Sequence, residues 1–112
     1  MALKLARVVL FTKDMAGITA FYRDVLGLPL RTDERGYKEF DAGGCGIALH
    51  NGTSRVGARP PKLVFAVTDV AAARNALVAR GGKLGKVNSG QGLSRCDGKD
   101  PDGNPISLSN RT

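Results

Sequence analysis

The stretch Arg7-Val8-Val9-Leu10-Phe11-Thr12-Lys13-Asp14-Met15 returns 55 residues later as Lys62-Leu63-Val64-Phe65-Ala66-Val67-Thr68-Asp69-Val70. Each copy places a cation ahead of a short β-branched and aromatic run, then an aspartate where a helix would start. Leu5 to Phe11 reads as a strand, with Val8 and Leu10 on one face and Arg7, Val9 and Phe11 on the other. Asp14 is a suitable N-cap for a helix from about Met15 to Leu26, whose apolar stripe is Ile18, Phe21, Tyr22 and Val25 and whose stop is Gly27. In the second copy Asp69 caps an alanine-rich helix from about Val70 to Arg80, and Gly82 stands 55 residues after Gly27 as its stop.

Short strand candidates follow each helix. In the first half they are Leu30–Asp33, Tyr37–Asp41 and Gly46–His50, parted by Arg35-Gly36 and Ala42-Gly43-Gly44 as turn material. In the second they are Leu84–Val87, Leu93–Cys96 and Pro105–Ser109, the last two joined by the turn-forming Asp100-Pro101-Asp102-Gly103-Asn104. The chain is thus expected to be one α+β domain over residues 1–112, with a βαβββ module at 4–52, a linker at 53–61 and a second βαβββ module at 62–112. Each module has one helix to cover one face of its strands. The other face carries Arg7, Val9 and Phe11 in the first half, and Lys62, Val64, Ala66, Ser107 and Ser109 in the second. Such a face must line a ligand cavity, pack on the other half or join a second subunit.

Seventeen Lys and Arg against ten Asp and Glu give a formal charge of +7, but the cations are scattered singly and no aromatics interleave with them. That distribution argues against nucleic-acid binding, and no apolar run is long enough for a membrane span. Cys45 and Cys96 form no CxxC pair and no secretory leader is evident, so reduced thiols and a cytoplasmic setting are expected.

Arg7 to Asp14, the piece Phe21-Tyr22-Arg23-Asp24-Val25-Leu26-Gly27-Leu28 and the closing Asp100 to Leu108 together resemble the vicinal oxygen chelate superfamily, which includes glyoxalases, bleomycin resistance proteins and extradiol dioxygenases. The resemblance implies paired βαβββ modules forming a curled mixed sheet around a cleft, often completed by homodimerisation. It also implies a divalent metal held from four strand positions. Carried onto this chain, those positions are Arg7, Ile47 or Leu49, Lys62 and Ser107. Two cations, an aliphatic side chain and a hydroxyl are poor ligands for a divalent ion, so neither metal nor other cofactor is expected. His50, the sole histidine, alternates away from Ile47 and Leu49 and reads as an ordinary edge or turn residue.

The leading expectation is a metal-independent small-molecule-binding protein that prefers an anionic or electron-rich ligand. Its contacts are assigned to Arg7, Val9, Phe11, Tyr37, Leu49, Lys62, Val64 and Ser107. Tyr37 fits a core or interface role equally well, and Arg7 and Lys62 can instead snorkel to the rim or pair with carboxylates. Two alternatives remain at this level. One is a lyase, isomerase or transferase with chemistry relocated to Tyr22, Tyr37, Cys45 or Cys96; the other is a structural or partner-binding homodimer.

Overall fold

The computed structural model describes residues 1–111 and divides into two compact units, Met1–Arg55 and a second from Val56 onward. Each unit is a four-stranded mixed sheet with helical cover, and no closed barrel forms among the described residues. No helix among them is long and apolar enough to cross a membrane.

In the first unit β1 (Arg7–Thr12) is followed by α1 (Met15–Ala20), then β2 (Leu30–Glu34), β3 (Tyr37–Asp41) and β4 (Gly46–Asn51). The sheet order is β1-β4-β3-β2, with β1 parallel to β4 and the other pairs antiparallel. Asp14 caps α1 by accepting the Gly17 N–H at 3.0 Å, as the sequence leads one to expect. The helix does not remain α-helical to Leu26. Phe21–Val25 forms a π-helical turn, with the Leu26 N–H donating to the Phe21 carbonyl at 3.0 Å. Gly27, at φ 73°, ends it in the left-handed conformation that glycine adopts without a Cβ penalty. Ile18, Phe21 and Tyr22 are buried over Phe40 of β3 and Ile47 and Leu49 of β4, and α1 packs on β4. Burying these side chains is the main gain that offsets the entropy of ordering the unit.

The second unit repeats the plan. β5 (Leu63–Ala66) leads to α2 (Val70–Ala79), then β6 (Asn88–Gly90), β7 (Leu93–Lys99) and β8 (Pro105–Ser109), in sheet order β5-β8-β7-β6. Asp69 caps α2 through the Ala72 N–H at 3.0 Å. The left-handed stop is Gly81, at φ 97°, one residue earlier than expected, while the Gly82 N–H closes on the Leu77 carbonyl at 2.8 Å. Val70 and Leu77 cover Cys96, Ile106 and Leu108, with α2 packed on β7 and β8.

The expected strand at Leu84–Val87 does not form. Only Leu84 bridges to β7, opposite Gly98, and a Cβ on Gly98 would lie 2.5 Å from the Lys83 carbonyl oxygen. The Leu84 and Gly85 carbonyls accept instead from the Arg74 guanidinium, at 3.2 and 2.7 Å, so a side chain on α2 takes the hydrogen bonds that a strand partner would use. Asp100 organises the turn into β8, accepting the Asp102 and Asn104 N–H groups at 3.0 and 2.9 Å and the Asn104 side-chain amide at 2.8 Å.

Candidate functional site

The strand registers arrange the face of the first sheet turned away from α1 in three rows. Phe11, His50 and Tyr37 stand side by side across β1, β4 and β3; Val9, Ala48 and Glu39 form the next row; Arg7, Gly46 and Asp41 form the third. In the aromatic row, His50 meets Phe11 and Tyr37 edge-on, with ring centroids 5.6 and 6.2 Å apart. Val9 and Phe11 remain 42% and 51% exposed, so this face retains apolar surface that could contact a ligand.

Glu39 is the electrostatic centre of the face. Although it stands on the sheet surface, it is only 6% exposed, because three side chains close over it. Arg7 donates from Nε to Oε1 at 3.0 Å, Arg31 donates from Nε to Oε2 at 3.1 Å and from Nη2 to the same oxygen, and the Tyr37 hydroxyl donates to Oε1. The Tyr37 and Arg31 hydrogen bonds, with the neighbouring positive charges, hold the Glu39 carboxyl at about 2, against an ordinary 4.5. Tyr37 is pushed upward, because its proton is held by the carboxylate. Gly46 makes room for this arrangement: a Cβ there would lie 2.6 Å from Arg31 Nη2 and 2.7 Å from Glu39 Oε2.

On the corresponding face of the second sheet, Val64, Ser107 and Asp97 share a row, and Ala66, Ser109, Arg95 and Asn88 share the next. Lys62 Nζ donates to Asp97 at 3.1 Å, and this hydrogen bond keeps that carboxyl below its usual range. Ser107 is itself buried and donates to the Cys96 carbonyl at 3.1 Å. Val64 is 59% exposed.

The structure therefore gathers Arg7, Val9, Phe11 and Tyr37 on one face of the first sheet, and Lys62, Val64 and Ser107 on the matching face of the second. Leu49, grouped with them by sequence, points the other way and is fully buried under α1. Strand alternation is the reason: Leu49 stands beside Leu10, whereas Ala48 and His50 stand beside Val9 and Phe11. Arg31, Glu39 and Gly46 were missed. Glu39 was legible two residues beyond Tyr37 in the same strand, but Arg31 was not, since the register shifts between Leu30 and Thr32.

The same alternation removes Ile47 and Leu49 from the implied metal positions, since Ala48 and Gly46 are the β4 residues on the Arg7 face. A guanidinium, an ammonium, a hydroxyl and an apolar residue do not fit a divalent cation. The one buried carboxylate on the Arg7 face is already bound to two guanidiniums. Among the described residues no group of three or more His, Cys, Asp or Glu is placed to hold a metal.

Two βαβββ units of equal topology, each with an uncovered sheet face, define a class of paired-module proteins. Residues 4–108 match the family model of the Glyoxalase/Bleomycin resistance protein/Dioxygenase superfamily, and the chain belongs to that superfamily. Solved structures share the fold. A glyoxalase/bleomycin resistance protein/dioxygenase from Nocardioides superposes with a TM-score of 0.81 at 16% identity, over 97% of this chain and 83% of that one. Lactoylglutathione lyase from Agrobacterium tumefaciens gives 0.76 at 21% identity, over 97% and 94%. The oxidase ChaP-H2 gives 0.75 at 17% identity, over 100% and 96%. No curated protein sequence matches the chain.

Proposed function

We propose that this protein binds a small anionic ligand, without a metal, on the face of the first sheet that carries Arg7, Arg31 and Glu39. The observation that carries this reading is one buried carboxylate holding two half-exposed guanidiniums. The cluster keeps a net positive charge. Arg7 engages Glu39 through Nε, which leaves its terminal nitrogens for a ligand oxyanion, and Arg31 keeps Nη1. Val9, Phe11 and the His50 edge supply apolar contact beside that charge, so an acid with an aromatic or aliphatic body suits the surface.

Binding is favoured over catalysis by the state of three of the four groups to which chemistry could have moved; the fourth, Cys45, is a free, part-buried thiol. Tyr22 is fully buried, Tyr37 is committed to Glu39, and burial pushes the Cys96 thiol up, away from the thiolate a nucleophile needs. A thermal-shift screen of aromatic and aliphatic acids, followed by calorimetry in the presence of a chelator, tests the reading. Saturable binding without turnover is expected, and Arg7→Met should weaken it at least about tenfold, the loss of one charge-assisted contact. Binding that needs added metal, or that Arg7→Met leaves intact, overturns it. We further propose that the protein is a homodimer, supported by the apolar exposure at Val9, Phe11 and Val64. Sedimentation showing only a monomer at high micromolar concentration would remove that part.

A further inference from the structure

Arg7 and Arg31 share Glu39, Lys62 holds Asp97, Lys38 holds Asp33 and Arg23 holds Asp24. Arg95 on β7 and Arg111 just beyond β8 are placed differently. Neither has a carboxylate within ion-pair distance among the described residues, and both border one open hollow of about 440 Å³ in the second unit. Its wall continues through Asn88, Ser89, Ser94 and Ser109, with no acidic side chain in the lining and Leu93 as the one large apolar residue. The strand register sets Asn88, Arg95 and Ser109 side by side, so their placement rests on backbone pairing rather than on a loop. The hairpin β6–β7 closes the edge, where the Ser89 and Ser94 hydroxyls meet at 2.8 Å.

We propose that this hollow binds the phosphate group of a small phosphorylated molecule, at a site separate from the Glu39 cluster. Two guanidiniums in one depression repel each other, and a dianion between them turns that repulsion into attraction. Tetrahedral phosphate offers several acceptor oxygens, and the lining answers with donors: two guanidiniums, the Asn88 amide and the serine hydroxyls, each of which keeps donor or acceptor capacity beyond its internal bond. Asp97, the nearest acid along β7, is hydrogen-bonded to Lys62 and acts on Arg95 only through the longer-range charge interaction, with no ion pair between them. Because the hollow is open, it suits the charged end of a ligand whose remainder lies outside.

The test is a titration of the ¹⁵N-labelled full chain with inorganic phosphate, followed by amide shifts and repeated with chloride at matched ionic strength. Phosphate should shift the amides of residues 88–95 and of Ser109 saturably, and chloride should not. Arg95→Met and Arg111→Met should each weaken binding by about tenfold or more, while Arg23→Met, at an exposed arginine paired with Asp24, leaves it unchanged. The spectrum itself reports whether each variant is folded. Should Arg95→Met lose its fold, Arg111→Met, which lies outside the strands, decides alone. Equal shifts with chloride, shifts spread evenly over the basic surface, or unchanged affinity in the folded variants would overturn the site.

Discussion

The two units share a sheet order, a capping aspartate and a helix-covered core, yet their uncovered faces hold charge in opposite ways. The first draws Arg7, Arg31 and Tyr37 onto one carboxylate and buries it; the second leaves Lys62 and Asp97 as a single pair, 40% and 44% exposed. The helices differ as well. Gly27, left-handed, stands thirteen positions after Asp14, but Gly81 only twelve after Asp69, and the π-helical turn at Phe21–Val25 accounts for the extra residue. The two units keep one backbone plan, while the side chains on their uncovered faces differ. Specific chemistry is therefore to be sought where the copies disagree.

The largest expected effect separates the two faces of one sheet. Leu49→Ala should destabilise the protein by about 2–5 kcal/mol, because it opens a cavity beneath α1. Val9→Ala, on the neighbouring strand but exposed, should cost less than about 1 kcal/mol. Urea unfolding of both variants measures the difference. Similar losses would mean that the Arg7 face is as much a core as the helix-covered one.

Next in size is the pH response of Glu39. Its carboxyl sits at about 2 in the folded chain against an ordinary 4.5, so folding favours the ionised form. That contribution is complete above pH about 4.5 and is lost as the pH falls through the window toward 2. Glu39→Gln should lower the thermal midpoint at pH 7 and flatten its decline across this window relative to wild type. Asp97→Asn should show the same sign with a smaller change, since Asp97 is half exposed and has one cationic partner. Equal flattening in the two variants would erase the contrast between the faces.

Much of this was open to reading in the sequence, and the exceptions share a physical cause. The repeat of Arg7–Met15 at Lys62–Val70, with both aspartate caps, gave the two modules because strand alternation and capping are local rules. The strand expected at Leu84–Val87 failed because Arg74, ten residues earlier, claims the carbonyls of Leu84 and Gly85. Nothing local in the sequence marks Glu39 as buried. Its burial depends on Arg7, Arg31 and Gly46 meeting across strands, and Arg31 reaches it only through a register shift that no periodicity announces.

Gly46→Ala probes that meeting point with a smaller change. The φ of Gly46 is not in the left-handed region, so the added methyl acts through space alone, against Arg31 Nη2 and Glu39 Oε2. The chain should fold, because both contacted atoms are side-chain ends that can move. Anion binding at Arg7 should weaken, and the acid-side decline should flatten toward that of Glu39→Gln. A variant with wild-type binding and pH profile would show that the cluster does not depend on close approach over β4.

The smallest effect is expected at Lys62, and it tests the comparison from its weaker side. Lys62 and Asp97 form one hydrogen-bonded ion pair with both side chains substantially exposed, so water screens their attraction and both lose rotamer freedom in forming it. Lys62→Met should therefore change stability by less than about 1 kcal/mol. That change should shrink further in 1 M salt, where the screening length is about 3 Å, comparable to the separation of the pair. Arg7 is no more buried than Lys62, but its partner Glu39 is only 7% exposed at the side chain, so Arg7→Met leaves a shielded carboxylate with one cation fewer. Its effect should exceed that of Lys62→Met and resist salt. The decisive measurement is the ratio of the two losses in low and high salt. A Lys62→Met loss as large and as salt-resistant as that of Arg7→Met would mean that both sheets carry an equally organised charge centre, and that Asp97 holds its surroundings as Glu39 does.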